Sequence, residues 1–193
     1  MVRDLLGNIT GQVFVSDHLE NGAGYSTFLG RPSESERLLQ YMVGIGNSAF
    51  YEPLVAGRHT GSCQTSCPDC VRDFSNLSFH NILDWRLGLD LARLALDAAA
   101  EISLDVAYWQ PLATQASQNY FAAQPGWGFQ TYAGLPGGRR GPIAEIICHP
   151  LWSRNQAALH TGLARAEAEA RTAGATQVSF RSVFEVLRRP YWL

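Results

Sequence analysis

Cys63-Gln-Thr-Ser-Cys67-Pro-Asp-Cys70 is the stretch on which the fold of this chain depends, because it places three of the four cysteines within eight residues. It lies in a segment, 57–79, that is rich in Gly, Ser, Thr, Cys and Asp and has no hydrophobic period. Such a segment has no core of its own, whereas thiolates close in sequence can present several sulfurs to one metal ion. Cysteines that merely fill a core usually lie on apolar periodic elements, so we predict that a bound metal orders this segment.

Zinc and an iron–sulfur cluster are the two metal centres that compete for this motif. The C-x3-C-x2-C spacing resembles that of radical-SAM enzymes, in which three thiolates leave one iron open. Those enzymes have an aromatic residue before the third cysteine, where this chain has Asp69, and they need most of a (β/α) barrel after the cluster. We therefore predict zinc, with a structural role.

A closed zinc site needs a fourth ligand, and three residues compete for that place. His80 is the predicted ligand, because the short loop after Cys70 can bring it back without tertiary arrangement. Cys148 comes second, and His59, four residues before Cys63, is the third alternative. Each also has an ordinary explanation: hydrogen bonding near a helix start for His80, core filling for Cys148, and a solvated loop position for His59.

Two helices are predicted on either side of the cysteine motif. Leu83, Leu87, Leu91, Leu94 and Ala98 form an apolar stripe at helical spacing, which predicts a long helix ending near residue 100. Upstream, Ser33 and Glu36 have the spacing of a capping box and predict a helix over 32–43, after a short strand at 11–17.

The rest of the chain predicts a second, smaller set of elements. The segment 109–142, with its prolines and glycines, is predicted as an irregular connection that holds one strand at 128–132. A buried strand at 144–149, a helix from a capping box at Ser153 to Thr172, and an apolar run at 177–186 form a βαβ-like unit. We therefore predict a mixed α/β fold with a zinc-binding domain at 1–105 and an α/β extension at 106–193.

Composition excludes one class of activity. The formal net charge is −2 and all fifteen basic residues are arginine. A Walker A loop needs a lysine to reach the terminal phosphates, so the chain is predicted not to hydrolyse ATP by itself.

No run of about 18 apolar residues and no signal-type segment occurs, so we expect a cytoplasmic protein.

Several polar residues outside the cysteine motif could carry chemistry. Asp84 could pair with His80 as acid and base, but capping of the following helix is the favoured explanation for Asp84. Glu145 and Glu185 could bind Mg²⁺ in a nuclease, although acidic residues on strands more often face solvent. Two arginine pairs could contact phosphates of a nucleic acid: Arg139 with Arg140, and Arg188 with Arg189. Three aromatic residues could stack on unpaired bases: Trp127, Phe129 and Tyr132.

A family resemblance covers about residues 10 to 100. The run GSCQTSCPDCVRDFSN (61–76), followed by His80 and LDWRLGLD (83–90), closely resembles the signature of the MrfA-like (DUF1998) zinc-binding domain. Asp17 and the glycine-rich stretch NGAGY (21–25) are similar to that family's acidic residue and turn. The family's zinc is usually attributed to four cysteines, whereas this chain offers three nearby.

The resemblance implies a non-catalytic accessory module of a DEAD/DEAH-type helicase. Such a module would support DNA binding or strand guidance in DNA repair or phage defence, including DISARM-type systems. The motor lobes would then belong to another part of a longer chain or to a partner subunit. The alternatives are a small metal-dependent nuclease, an iron–sulfur enzyme fragment and an interaction subunit that never touches nucleic acid.

Overall fold

The computed structural model describes residues 24–188 together with two short antiparallel strands, β1 (Val2–Arg3) and β2 (Ile9–Thr10). The predicted strand at 11–17, Asp17, most of the glycine-rich stretch that begins at Asn21, and Arg189 lie outside the described residues. The fold is mixed α/β, as predicted.

Two compact units make up the chain, and each is described by itself. The cysteine unit comprises residues 24–101 of the described chain, and the sheet unit comprises residues 102–188 together with strands β1 and β2. The division falls between Glu101 and Ile102, whereas the sequence placed it after residue 105.

The cysteine unit is helical. Its elements are α1 (Tyr25–Leu29), α2 (Pro32–Met42), α3 (Tyr51–Val55), α4 (Gly57–Ser62), a 3-10 helix (Phe74–Phe79) and α5 (Trp85–Leu96). Helix α2 lies where the sequence predicts it, but it begins with Arg31 as N-cap and Pro32 in the first turn, without the predicted capping box. Helix α4 was not predicted, because no apolar stripe marks it.

Asp84 fixes the start of α5. Its carboxylate accepts hydrogen bonds from the backbone N–H groups of Arg86 and Leu87, each at 3.1 Å. These are two of the donors that a helix leaves unpaired in its first turn. The capping interpretation of Asp84 is therefore confirmed.

The sheet unit contains a four-stranded sheet. Its elements are α6 (Gln110–Ala122), β3 (Gly128–Tyr132), β4 (Leu135–Arg140), β5 (Ile143–Cys148), a 3-10 helix (Gln156–Ala158), α7 (Thr161–Thr172), β6 (Gln177–Ser182) and α8 (Val183–Arg188). The strand order is β3-β4-β5-β6. Strands β3, β4 and β5 are antiparallel neighbours, while β5 and β6 are parallel and joined through α7. The predicted βαβ unit is thus confirmed.

Helix α6 corrects the prediction of an irregular connection over 109–142. Pro111 lies in the first turn, where a missing N–H costs no hydrogen bond, so it starts the helix rather than breaking it. The helix buries a face at helical spacing that includes Ala113, Ser117, Tyr120 and Phe121. Ser117 is accommodated because its hydroxyl donates to the carbonyl oxygen of Ala113 at 2.6 Å.

Helix α7 begins later than the capping box at Ser153 predicts. Gln156 lies in the separate 3-10 helix, and the ring of His160 accepts a hydrogen bond from the N–H of Gly162 at 3.2 Å, which makes His160 the N-cap. Among the described residues, no helix has the length and apolar character needed to cross a membrane.

Candidate metal centre

Four potential metal ligands converge in the cysteine unit: His59, Cys63, Cys67 and Cys70. One ligand atom from each lies within 4.8 Å of the others. His59 lies on α4 and Cys63 is the residue that ends this helix, so one helical turn separates them. Cys67 and Cys70 follow in a tight turn in which the N–H of Cys70 donates to the carbonyl of Cys67 at 3.1 Å.

The spacing of the ligand atoms fits a tetrahedral ion. The Sγ atoms of Cys63 and Cys70 are 3.9 Å apart, and Cys67 Sγ lies 3.4 Å from His59 Nε2. A tetrahedral Zn²⁺ with Zn–S of about 2.3 Å and Zn–N of about 2.0 Å separates two sulfurs by about 3.8 Å and a sulfur from a nitrogen by about 3.5 Å. These two distances therefore match those between ligands of a tetrahedral zinc, and all four ligand atoms lie close enough to share one ion.

A backbone carbonyl sets the orientation of the His59 ring. His59 Nδ1 lies 2.8 Å from the carbonyl oxygen of Leu54 on α3. A carbonyl can only accept, so Nδ1 carries a proton, and Nε2 is the ring nitrogen that faces the thiols. This carbonyl–histidine arrangement is the usual one for histidines that bind metals.

The electrostatics of the cluster favour a cation. Burial raises the pKa of Cys63 to about 12, and hydrogen bonding to Cys67 and the charge of Cys70 act in the same direction. Burial also raises the pKa of Cys70, although the backbone N–H of Cys67, which donates to its sulfur at 3.1 Å, opposes the shift. Neighbouring thiolates repel one another here, and a divalent ion would compensate their charges.

The first turn of α5 holds the cysteine loop in place. Arg86 is 1% exposed, and its guanidinium donates to the carbonyl oxygens of Thr60, Cys63 and Gln64 at 3.1, 3.0 and 2.7 Å. The neighbouring Trp85 packs its ring 5.0 Å from that of His59. The backbone N–H of Trp85 also donates to the carbonyl of Thr65 at 3.0 Å.

His80, the ligand favoured by the sequence, lies outside the four-residue group. Its Nε2 is 2.8 Å from Asn76 Oδ1 and 3.0 Å from the carbonyl of Asp73, so the ring serves to close the 3-10 helix. Cys148, the second choice, is fully buried on β5 of the sheet unit. The structure instead brings in His59, which the sequence ranked third.

His59 carried a sequence signal that could have identified it. The spacing His59-x3-Cys63 puts two ligands on one face of a helix, and Cys67 and Cys70 extend the same series. That signal depends on a helix over 57–62, which the Gly- and Ser-rich composition of the segment argued against.

Each of the two glutamates considered for a nuclease is bound by an arginine. Glu145 is 6% exposed, which corrects the prediction of a solvent-facing residue, and it accepts hydrogen bonds from Arg181 and Tyr120. Glu185 pairs with Arg154 at 3.1 Å. Within residues 24–188, the His59 group is the one cluster of three or more His, Cys, Asp or Glu side chains at metal-binding distances.

The basic pairs and aromatic residues of the sheet unit have different environments. Arg139 donates to the carbonyls of Gly141 and Ala173, whereas Arg140 stacks on Trp127 with 5.3 Å between guanidinium and ring centre. Tyr132 is 2% exposed and belongs to the core, while Trp127 and Phe129 are half-buried.

Comparison with models of known protein families, with curated proteins and with solved structures finds no match to this chain.

Proposed function

We propose that the cysteine unit is a structural zinc module without chemistry of its own. The observation that carries this proposal is the convergence of four potential protein ligands, whose atoms lie within 4.8 Å of one another and include two pairs at tetrahedral spacing. Catalytic zinc sites keep three protein ligands and leave a position for water or substrate, whereas structural sites are closed by four. His59 completes the set, so the ion would order a loop and would not activate a water molecule.

The same fourth ligand weighs against the iron–sulfur alternative. A radical-type cluster needs an iron that is free of protein ligands, whereas here His59 Nε2 lies 3.4 Å from Cys67 Sγ and is available as a fourth protein ligand. The two alternatives differ in colour, because an anaerobically purified iron–sulfur protein is brown and a zinc protein is colourless.

Elemental analysis of the tag-free full-length chain tests the proposal. We expect one zinc per chain, and we expect Cys67→Ser to lose the zinc together with most of the helical structure of the cysteine unit. Cys148→Ser, which alters a cysteine outside the cluster, should keep the zinc. A Cys67→Ser variant with full zinc content and an unchanged thermal midpoint would contradict a structural zinc.

The partner that we propose for this module is the motor of a DNA helicase. The support is the resemblance of residues 10 to 100 to the MrfA-like domain and the positions of its motif residues. Trp85 and Arg86, from the LDWR part of the motif, contact His59 and the backbone between Thr60 and Gln64. Within the described residues, the LDWR part and the cysteine part of the motif therefore contact each other beside the candidate metal site.

Two measurements test the helicase partner. We expect a gene beside the one for this chain to encode a helicase without such a module, and we expect the chain to raise that helicase's DNA-dependent ATPase activity. The Cys67→Ser variant should not do so. A chain that leaves the ATPase rate unchanged while retaining its zinc would contradict the helicase role and leave the zinc module intact.

A further inference from the structure

The sheet unit contains a second candidate site, an open cleft of about 320 Å³ beyond the end of α6. Residues of the parallel strands β5 and β6 line it, among them Glu145 and Arg181. Trp127 and Arg140 line it as well, from the turn after α6 and from the end of β4. The volume is at the lower end of the range for small-molecule sites.

Among the described residues that line the cleft, Glu145 is the one carboxylate, and both of its oxygens accept hydrogen bonds. Glu145 Oε1 accepts from Nε of Arg181 at 2.6 Å, and Glu145 Oε2 accepts from the hydroxyl of Tyr120 at 3.1 Å. The bond from Arg181 uses Nε, and within the described chain its two terminal nitrogens make no hydrogen bond. A guanidinium has five N–H donors, and the bond to Glu145 uses one of them. The donors on the two terminal nitrogens of Arg181 are therefore available to a ligand.

Arg140 supplies a second set of donors. Its guanidinium lies 5.3 Å from the centre of the Trp127 ring, and its aliphatic stem crosses Gly126, where a Cβ would come within 3.5 Å of it. Among residues 24–188, Arg140 has no carboxylate partner and no side-chain hydrogen bond. Stacking on Trp127 restricts its rotamers in advance, which lowers the entropy lost when a ligand binds.

These features specify the charge and shape of the ligand. Two arginines against one glutamate leave the cleft with one net positive charge. A carboxylate presents two coplanar oxygens with one negative charge, whereas a tetrahedral phosphate presents oxygens in several directions and more negative charge, which suits two guanidinium forks that approach from different sides. Ser179 adds a hydroxyl to the lining.

We propose that this cleft binds a phosphate group between Arg140 and the terminal nitrogens of Arg181. The phosphate is either that of a small phosphorylated molecule or one in the backbone of a single nucleic-acid strand. Because every residue involved belongs to the sheet unit, the site is independent of the zinc module.

Calorimetric titration of the full-length chain tests the site with three probes: inorganic phosphate, thymidine 5′-monophosphate and a short dT oligonucleotide. Arg140→Gln removes the charge of an exposed residue and should weaken binding of the preferred probe about tenfold. Arg165→Gln is the matched control, because Arg165 is an exposed arginine on α7 of the same unit and does not line the cleft. Both variants should keep the zinc content of the wild type.

The probes distinguish the two sources of phosphate. Tighter binding of the monophosphate than of the oligonucleotide identifies a small phosphorylated ligand. Tighter binding of the oligonucleotide, with a salt slope that Arg140→Gln reduces by about 0.7, identifies a strand. Absence of binding for all three probes, or equal affinities of wild type and Arg140→Gln, would overturn the proposal whatever the zinc content.

Discussion

The Nδ1 atom of His59 lies 2.8 Å from the carbonyl oxygen of Leu54, and this contact decides which ring nitrogen faces the three cysteines. Leu54 is 4% exposed on α3, so the acceptor is held within a packed helix. In the folded site the contact therefore keeps Nε2 directed at the sulfurs, as a supporting hydrogen bond does for histidines that bind metals.

Histidine substitutions separate the observed ligand set from the one favoured by the sequence. We expect His59→Ala to lower zinc affinity by more than about 100-fold, because removing a ligand costs at least as much as removing its supporting contact. His80→Ala should keep one zinc per chain and lose about 1 kcal/mol of stability with its hydrogen bonds to the 3-10 helix. Competition with a chromogenic chelator measures both affinities, and the reverse pattern would assign the fourth ligand to His80.

Arg86 is predicted to be the main support of the cysteine loop. Arg86→Leu leaves the carbonyls of Thr60, Cys63 and Gln64 without their donor, and we expect the free energy of unfolding to fall by about 3 kcal/mol. Arg86→Lys should recover little of it, because a single ammonium lacks the fork that reaches all three oxygens.

Arg58→Gln is the control for that substitution, because Arg58 is an exposed arginine on α4. Urea denaturation of the zinc-loaded proteins measures the difference. Equal midpoints for Arg86→Leu and Arg58→Gln would show that the buried guanidinium is dispensable.

The structure agrees with the sequence where local signals suffice. Helix α5 has the N-cap at Asp84, but it ends at Leu96 and buries Trp85, Leu89 and Ala92 in place of the predicted leucine stripe, in which Leu91 is exposed. The β5-α7-β6 unit combines a buried apolar strand with a helix that Gly174 ends at a φ of 92°. The clustered cysteines of the candidate site were also apparent, because a short loop brings them together without help from the rest of the fold.

The differences arise where distant contacts determine the structure. Helix α4 lacks an apolar stripe, and its carbonyl at Thr60 is bound by Arg86, 26 residues later in the chain. His59 could not be placed without that helix. A glutamate on a strand is predicted to face solvent, whereas Glu145 is buried. Hydrogen bonds from Arg181 and Tyr120, which lie on other elements, compensate the cost of that burial.

Removal of the metal should expose three thiols and not four. Cys63, Cys67 and Cys70 are the thiols of the cluster, whereas Cys148 is fully buried on β5. We expect the zinc-loaded protein to react slowly with a thiol reagent at neutral pH, and a strong chelator to release three thiols per chain at once. The fourth should react after denaturation, and four fast thiols without denaturant would contradict the separation of Cys148 from the site.

Cys148 should also make stability depend on pH in the alkaline range. Burial raises the pKa of its thiol from 9.0 to about 12. Between these values the folded chain keeps the proton that the unfolded chain releases, so the free energy of unfolding falls as pH rises, by up to about 1.4 kcal/mol per pH unit. Below the lower value this thiol adds no pH dependence. Denaturation of wild type and Cys148→Ala over this range should give a flatter profile for the variant, and identical slopes would contradict the assignment.

Gly138 on β4 is predicted to be indispensable for the packing of α6 on the sheet. A Cβ at this position would have three ring carbons of Phe121 within 2.6 Å, and Phe121 is itself fully buried. Gly138→Ala must therefore displace the ring or the strand, and we expect the free energy of unfolding to fall by about 2 kcal/mol or more.

Gly128 on the neighbouring strand β3 is the matched control, because a Cβ there meets nothing within 4 Å. Gly128→Ala should leave the thermal midpoint unchanged or slightly higher, since alanine restricts the unfolded chain. If both variants melt at the wild-type temperature, Phe121 does not lie against Gly138 in solution.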